Sequence, residues 1–196
     1  MSATRTLALI VFPAILLGCA KKSDPEAAAG GAKGEVTETA LAEQGLIEQK
    51  VDFDGSGSPE VVNYYRERGE GSRLLVRKEL DLNRDGKIDL VTHLDDKGEI
   101  EREQLDSDFD GSFEWTDHYE GGLRMSTEYD TDNNGTPNVF KYYEKDQAGK
   151  VYLDRKERDE NGDGKIDVWE KFDASGAVII TGRDTDGDGK MDERQE

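Results

Sequence analysis

Several building materials are scarce in this chain. Cys19 is the only cysteine in 196 residues, so no intramolecular disulfide can brace the fold. There are two histidines, His93 and His118, and four prolines. The longest apolar run, Leu7–Leu17, is broken by Pro13 and is too short for a membrane-spanning helix. Positive charge is also scarce: 26 Lys and Arg face 45 Asp and Glu, for a net charge of −19. That balance excludes a nucleic-acid partner, because phosphate repulsion would oppose contact. Neither an H-E-x-x-H pair, a G-x-S-x-G elbow nor a phosphate loop occurs, so the chain is not expected to be an enzyme. Apolar residues make up 34% of the chain and charged residues 36%. A thick core is therefore excluded, leaving either disorder or a repeat architecture with many turns.

The N-terminus reads as a targeting segment. Arg5 precedes the Leu7–Leu17 run, which ends in Leu16-Leu17-Gly18-Cys19. A small residue before a lone cysteine resembles the lipobox of bacterial lipoproteins. The resemblance implies that residues 1–18 are a signal peptide and that Cys19 is lipidated, anchoring the chain to a membrane. Ala20 follows, not the aspartate associated with inner-membrane retention, so the resemblance favours the outer membrane. Residues 19–45, rich in Ala, Gly, Glu and Lys, read as a flexible tether with a short helix around 38–44.

What the chain has in quantity is glycine (22 residues) and acid. They combine in a stretch that recurs at Asp52, Asp81, Asp106, Asp130, Asp159 and Asp184. Every third loop is offset by 78 residues, from 52 to 130, 81 to 159 and 106 to 184, so a three-unit block is duplicated. After each of the first five loops, positions 10 and 14 (the first Asp being position 1) are apolar or aromatic, as in Leu90 and Leu94 or Trp115 and Tyr119. That parity predicts a strand. A glycine then marks a turn (Gly71, Gly98, Gly122, Gly149, Gly176), and a second strand leads to the next loop. The expected second strands are 74–80, 99–105, 123–129, 151–158 and 178–183, with 46–51 as lead-in. The fold class is all-β: a repetitive antiparallel hairpin meander over 46–196, with acidic loops along one end. One thin apolar face and one wet face are expected, with His93 and His118 as neighbours on the latter.

The loops have the chemistry of a hard-cation site. Short carboxylates or amides at positions 1, 3 and 5, glycine at position 6 and an acid or amide at position 9 can converge on a cation needing six to eight oxygens. The candidate ligands are Asp52, Asp54, Ser56 and Glu60; Asp81, Asn83, Asp85 and Asp89; Asp106, Asp108, Asp110 and Glu114; Asp130, Asp132 and Asn134, with Asn138; Asp159, Asn161, Asp163 and Asp167; and Asp184, Asp186, Asp188 and Asp192. Position 12, where an EF-hand places a bidentate Glu, matches only at Glu170. The first nine positions resemble an EF-hand loop. The D-x-D-x-D-G-x-x-D form is closer to the calcium loops of thrombospondin type 3 repeats and of bacterial envelope lipoproteins, including those of gliding gram-negative bacteria. The resemblance implies calcium as the cofactor. By carboxylate count the Asp106 and Asp184 loops are the strongest and the Asp130 loop the weakest. The alternative is an Asx-turn that satisfies its own backbone.

The function expected from these observations is a membrane-anchored, calcium-binding envelope scaffold that meets a protein partner, with gliding motility or adhesion as the analogy. Two other readings stand beside it. One is a module binding glycan or cell-wall polymer through Tyr64, Tyr65, Tyr142, Tyr143, Trp115 and Trp169. The other is a calcium buffer or sensor.

Overall fold

The computed structural model describes residues 4–7 and 34–196, and every regular element among them is a β-strand. The strands are β1 (Thr4–Leu7), β2 (Glu35–Leu41), β3 (Leu46–Asp52), β4 (Val61–Glu67), β5 (Arg73–Leu80), β6 (Leu90–Leu94) and β7 (Ile100–Leu105). They continue as β8 (Trp115–Glu120), β9 (Leu123–Tyr129), β10 (Val139–Lys145), β11 (Val151–Arg158), β12 (Val168–Phe172), β13 (Val178–Arg183) and β14 (Glu193–Gln195). They form one open sheet in strict chain order, and each strand pairs antiparallel with the next. The meander places every acidic loop at one end of the sheet and every glycine turn at the other. Gly71, Gly98, Gly122, Gly149 and Gly176 all take positive φ, the conformation that lets the chain reverse without a Cβ clash.

Each of the five repeat hairpins carries a bulge at the same place. The register slips between Tyr64 and Tyr65, His93 and Leu94, His118 and Tyr119, Tyr142 and Tyr143, and Lys171 and Phe172. The extra residue lies on the returning strand: Val76, Glu101, Met125, Asp154 and Ile179. Such a bulge adds twist and re-aims the side chains beyond it.

Cross-strand rows explain how so little apolar material makes a sheet. Nearest the loops runs Val36–Val51–Val61–Leu80–Leu90–Leu105–Trp115–Tyr129–Val139. Within it the Trp115 and Tyr129 rings meet at 4.5 Å. Two residues along each strand, on the same face, is a polar row containing Gln49, Asn63, Thr92, Glu103, Asp117 and Thr127. Gln49 donates to Glu38 at 3.0 Å, Asn63 to Gln49 at 3.2 Å, Thr92 to Glu103 at 3.1 Å and Thr127 to Asp117. Hydrogen-bonded pairs stabilise the centre of this face in place of apolar contacts.

Three expectations are corrected. The single apolar face is not observed: Val62, Tyr64 and Val91 are buried on one face while Val168, Asp117 and Thr127 are buried on the other. The bulges and the interposed polar row divide burial between the faces. The fold also begins before residue 46. Glu35–Leu41 is a strand, neither tether nor helix, because Val36, Thr37 and Thr39 pair with Leu46–Asp52 across a turn closed by Gln44 N–H to the Leu41 carbonyl at 3.0 Å. Finally, His93 and His118 are not neighbours. Arg102 pairs with both, and its guanidinium donates to the His93 ring at 2.9 Å. Burial, then Arg102 and Arg77, hold His93 below the ordinary histidine value. Most of the expected leader, Cys19 and residues 20–33 lie outside the described residues.

Candidate metal centre

All six loops use one hydrogen-bond scheme. The position-1 carboxylate turns inward and accepts the backbone N–H of the position-6 glycine: Gly57 at 2.7 Å, Gly86 at 2.9 Å, Gly111 at 2.7 Å, Gly135 at 2.6 Å, Gly164 at 2.8 Å and Gly189 at 2.6 Å. Its other oxygen takes an N–H from position 4 or 5, as with Arg84, Phe109 and Gly187. Position 5 accepts from the N–H of position 7 in each loop, for example Lys87 to Asp85 and Lys165 to Asp163. Position 9 reaches back to the N–H of position 2: Glu60 to Phe53 at 2.7 Å, Asp89 to Leu82 at 2.6 Å, Glu114 to Ser107 at 2.9 Å, Asn138 to Thr131 at 2.9 Å, Asp167 to Glu160 at 2.7 Å and Asp192 to Thr185 at 2.9 Å. Charge-assisted bonds of this kind are the stronger class. The Asx-turn given above as the alternative is therefore present in every loop.

These bonds have an electrostatic consequence. The Ser56 side chain and N–H hold Asp54 below the ordinary aspartate value. The Lys87 N–H and the Asn83 side chain do the same for Asp85, the Ser112 N–H and Asn133 side chain for Asp110, and the Thr185 N–H and side chain for Asp192. These four carboxylates thus stay ionised to lower pH than free aspartate.

Adjacent loops are also joined. The position-1 N–H of each later loop donates to the position-9 carbonyl of the loop before: Asp81 to Glu60, Asp106 to Asp89, Asp130 to Glu114, Asp159 to Asn138 and Asp184 to Asp167, at 2.8 to 3.0 Å. Side chains add to this. Lys87 donates to the Asp110 carbonyl at 2.9 Å, Lys165 to the Gly187 carbonyl at 2.5 Å, and Asn133 to the Asp110 carboxylate at 2.6 Å.

The self-satisfied turn leaves one oxygen over. Glu60 Oε1, Asp89 Oδ1 and Glu114 Oε1, all at position 9, are buried and accept no hydrogen bond. A buried carboxylate oxygen without a donor is costly, more than about 1–3 kcal/mol when charged. Two of these atoms, on Glu60 and Glu114, belong to residues whose carboxylates converge with others, whereas Asp89 joins no such cluster among the described residues. Asp106, Asp108, Asp110 and Glu114 bring ligand oxygens within 4.8 Å of one another, as do Asp52, Asp54 and Glu60, and Asp184, Asp186 and Asp188. These acidic clusters can hold a metal ion. An all-oxygen donor set with unpaired inward oxygens fits a hard cation.

Other expected ligands are placed differently. Ser56 Oγ accepts from the Ser58 N–H at 3.2 Å. Amide groups bridge the carboxylates in the Asn-containing loops: Asn83 to Asp85 at 3.2 Å, Asn134 to Asp132 at 3.0 Å and Asn161 to Asp167 at 3.2 Å. Glu170 is not at the Asp159 loop. It lies in β12 on the polar row, where Lys156 at 3.8 Å and Arg158 at 4.0 Å are its ion-pair partners. In the loop expected to rival the Asp106 loop only Asp184, Asp186 and Asp188 converge, and Asp192, whose Oδ2 atom is engaged by both Thr185 groups, is not among them. Reasoning from sequence missed Arg84, whose guanidinium lies 3.6 Å from Asp54 and 3.8 Å from the unbonded Glu60 Oε1. No local signal announces that contact, since it joins consecutive loops.

No protein-family model matches the chain, and no curated protein matches it.

Proposed function

We propose that the chain is a calcium-stabilised envelope scaffold, lipidated at Cys19 and held at the outer membrane, which presents a long single-layer sheet to a protein partner. The observation that carries the metal part is the trio of buried, unbonded oxygens on Glu60, Asp89 and Glu114. Calcium suits them because it accepts many oxygen ligands in flexible geometry, whereas magnesium demands an octahedron and keeps its waters. Binding in the folded state alone would add directly to the stability of a lightly cored sheet. This reading assigns the chain no catalysis.

The aromatic residues favour a scaffold over a glycan-binding module. Tyr64 is buried with the Arg77 guanidinium 3.9 Å above its ring, and Arg155 covers Tyr142 at 4.2 Å. Ring faces so covered are not free to stack on sugars. Calcium calorimetry, with far-UV circular dichroism before and after chelation, tests the proposal. Uptake by several loops, with loosening of the sheet on chelation, is expected. A chain that takes up no calcium and gives the same spectrum in chelator refutes it.

A further inference from the structure

Strand β2 begins at the loop end of the sheet. Glu35 pairs with Asp52, and a Cβ on Gly34 would lie 2.9 Å from the Asp52 carbonyl oxygen and 3.0 Å from that of Phe53. Gly34 is therefore held against the first loop. The first three loops also hold large apolar side chains in solvent: Phe53 is 60% exposed, Leu82 51% and Phe109 43%.

The loop backbone does not require these residues. At the 78-residue offset stand Thr131, Glu160 and Gly187, in loops with the same hydrogen-bond scheme. Phe109 is the sharpest case. Its φ is +65°, whereas Gly187 meets the same requirement at +79° with no side chain. A left-handed non-glycine residue costs about 1–2 kcal/mol, and the exposed ring does not offset this by burial. The loops with large apolar side chains at position 2 or 4 are also the loops with buried, unbonded position-9 oxygens, while the Asp184 loop exposes Met191 at position 8.

We infer that the edge formed by the first three loops docks on an anionic phospholipid surface, through cations held in the loops and through Phe53 and Phe109. The inference rests on the cation reading above. Without cations, loops in a chain of net charge −19 are repelled by lipid phosphates. A cation with six to eight coordination positions, only part-filled by the loop, can accept phosphate oxygens in the rest. Successive loops are two strands apart, about 10 Å, so the three sites span roughly 20 Å of one edge. A planar headgroup layer suits that arrangement, and exposed phenyl rings can enter its interfacial zone.

The test uses the full chain carrying Cys19→Ala, which cannot be acylated, with vesicles of phosphatidylglycerol and phosphatidylcholine. The readout is the difference in co-sedimentation between calcium, at roughly 1 mM, and EGTA. Any constant contribution from the apolar N-terminal run cancels in that difference. Binding in calcium that EGTA abolishes is expected. Phe53→Thr/Phe109→Gly, which installs the residues of the second copy, should weaken it by at least about tenfold and leave calcium heats unchanged. Phe53→Thr alone, at the most exposed position, should act in the same direction without threatening the fold. Three results overturn the inference and leave the cation reading standing: calcium heats without vesicle binding, vesicle binding indifferent to both variants, or capture of an acidic protein in place of vesicles. Absence of calcium heats overturns the cation reading itself, and the docking with it.

Discussion

Where strands meet loops, the first half of the molecule carries Leu80, Leu82 and Leu105, and the second half carries Arg158, Glu160 and Arg183 at the same three places of the duplicated block. Glu160 meets Arg158 at 3.3 Å and Arg183 at 3.5 Å. Three apolar residues in one copy thus correspond to an ion triad in the other. The loops above follow the same division. In the second half Asn161 donates to Asp167 Oδ1, and Asn138 replaces the carboxylate of Glu60. In the first half the corresponding oxygens have no donor. Two of the three second-half loops thus satisfy position 9 with their own amides, whereas every first-half loop keeps a buried position-9 oxygen without a donor.

The largest expected effect breaks this comparison most directly. Calcium at a hundred times its dissociation constant should protect the amides of residues 52–57, 81–86 and 106–111 from hydrogen exchange by roughly a hundredfold, about 2.7 kcal/mol. Protection of residues 130–135 should change much less. Equal gains in both regions would erase the difference between the halves.

Next in size is a reversal of sign. Asp89→Asn removes a fully buried charge with an unbonded oxygen. It should stabilise the chelated protein by about 1 kcal/mol and weaken calcium binding by at least about tenfold. Asp167→Asn, whose oxygens are both bonded, should only destabilise. Thermal melts with and without chelator separate the two variants.

Acid should act on both halves. Asp54, Asp85, Asp110 and Asp192 have folded values held below the ordinary one by backbone and side-chain donors. A depressed carboxylate stabilises fully above its unfolded value and loses that contribution as pH falls through its folded value. Stability in chelator should therefore be level above about pH 5 and fall below about pH 4. A melt that rises on acidification contradicts the hydrogen-bond scheme.

The smallest effect concerns the triad. Its members are partly exposed, so Glu160→Leu should cost only about 0.5 kcal/mol. The triple exchange Arg158→Leu/Glu160→Leu/Arg183→Leu, which restores the first-half pattern, should recover that loss in urea unfolding.

Much of this was legible before folding. The 78-residue offset, the parity of positions 10 and 14, and the glycines after each first strand specified the meander. The second strands fell where expected, with Leu123–Tyr129, Val151–Arg158 and Val178–Arg183 matching at both ends. The left-handed residue at position 4 was also readable in hindsight, since Gly55, Gly162 and Gly187 occupy it. So was the polar row, since position 12 is polar in every repeat. Strand β2 was hidden because an Ala- and Gly-rich background obscured the β-branched run from Val36 to Thr39.

By itself, the sequence determined where the chain bends and which residues lie at each bend, because a glycine at a left-handed site and a carboxylate three or five residues away interact locally. Only the tertiary structure decided which oxygens remain without a donor, which row packs beside which, and that Arg84 reaches the loop before its own. Those outcomes depend on cross-strand register, where a bulge or a neighbouring repeat changes what each side chain meets and no spacing along the chain encodes the result.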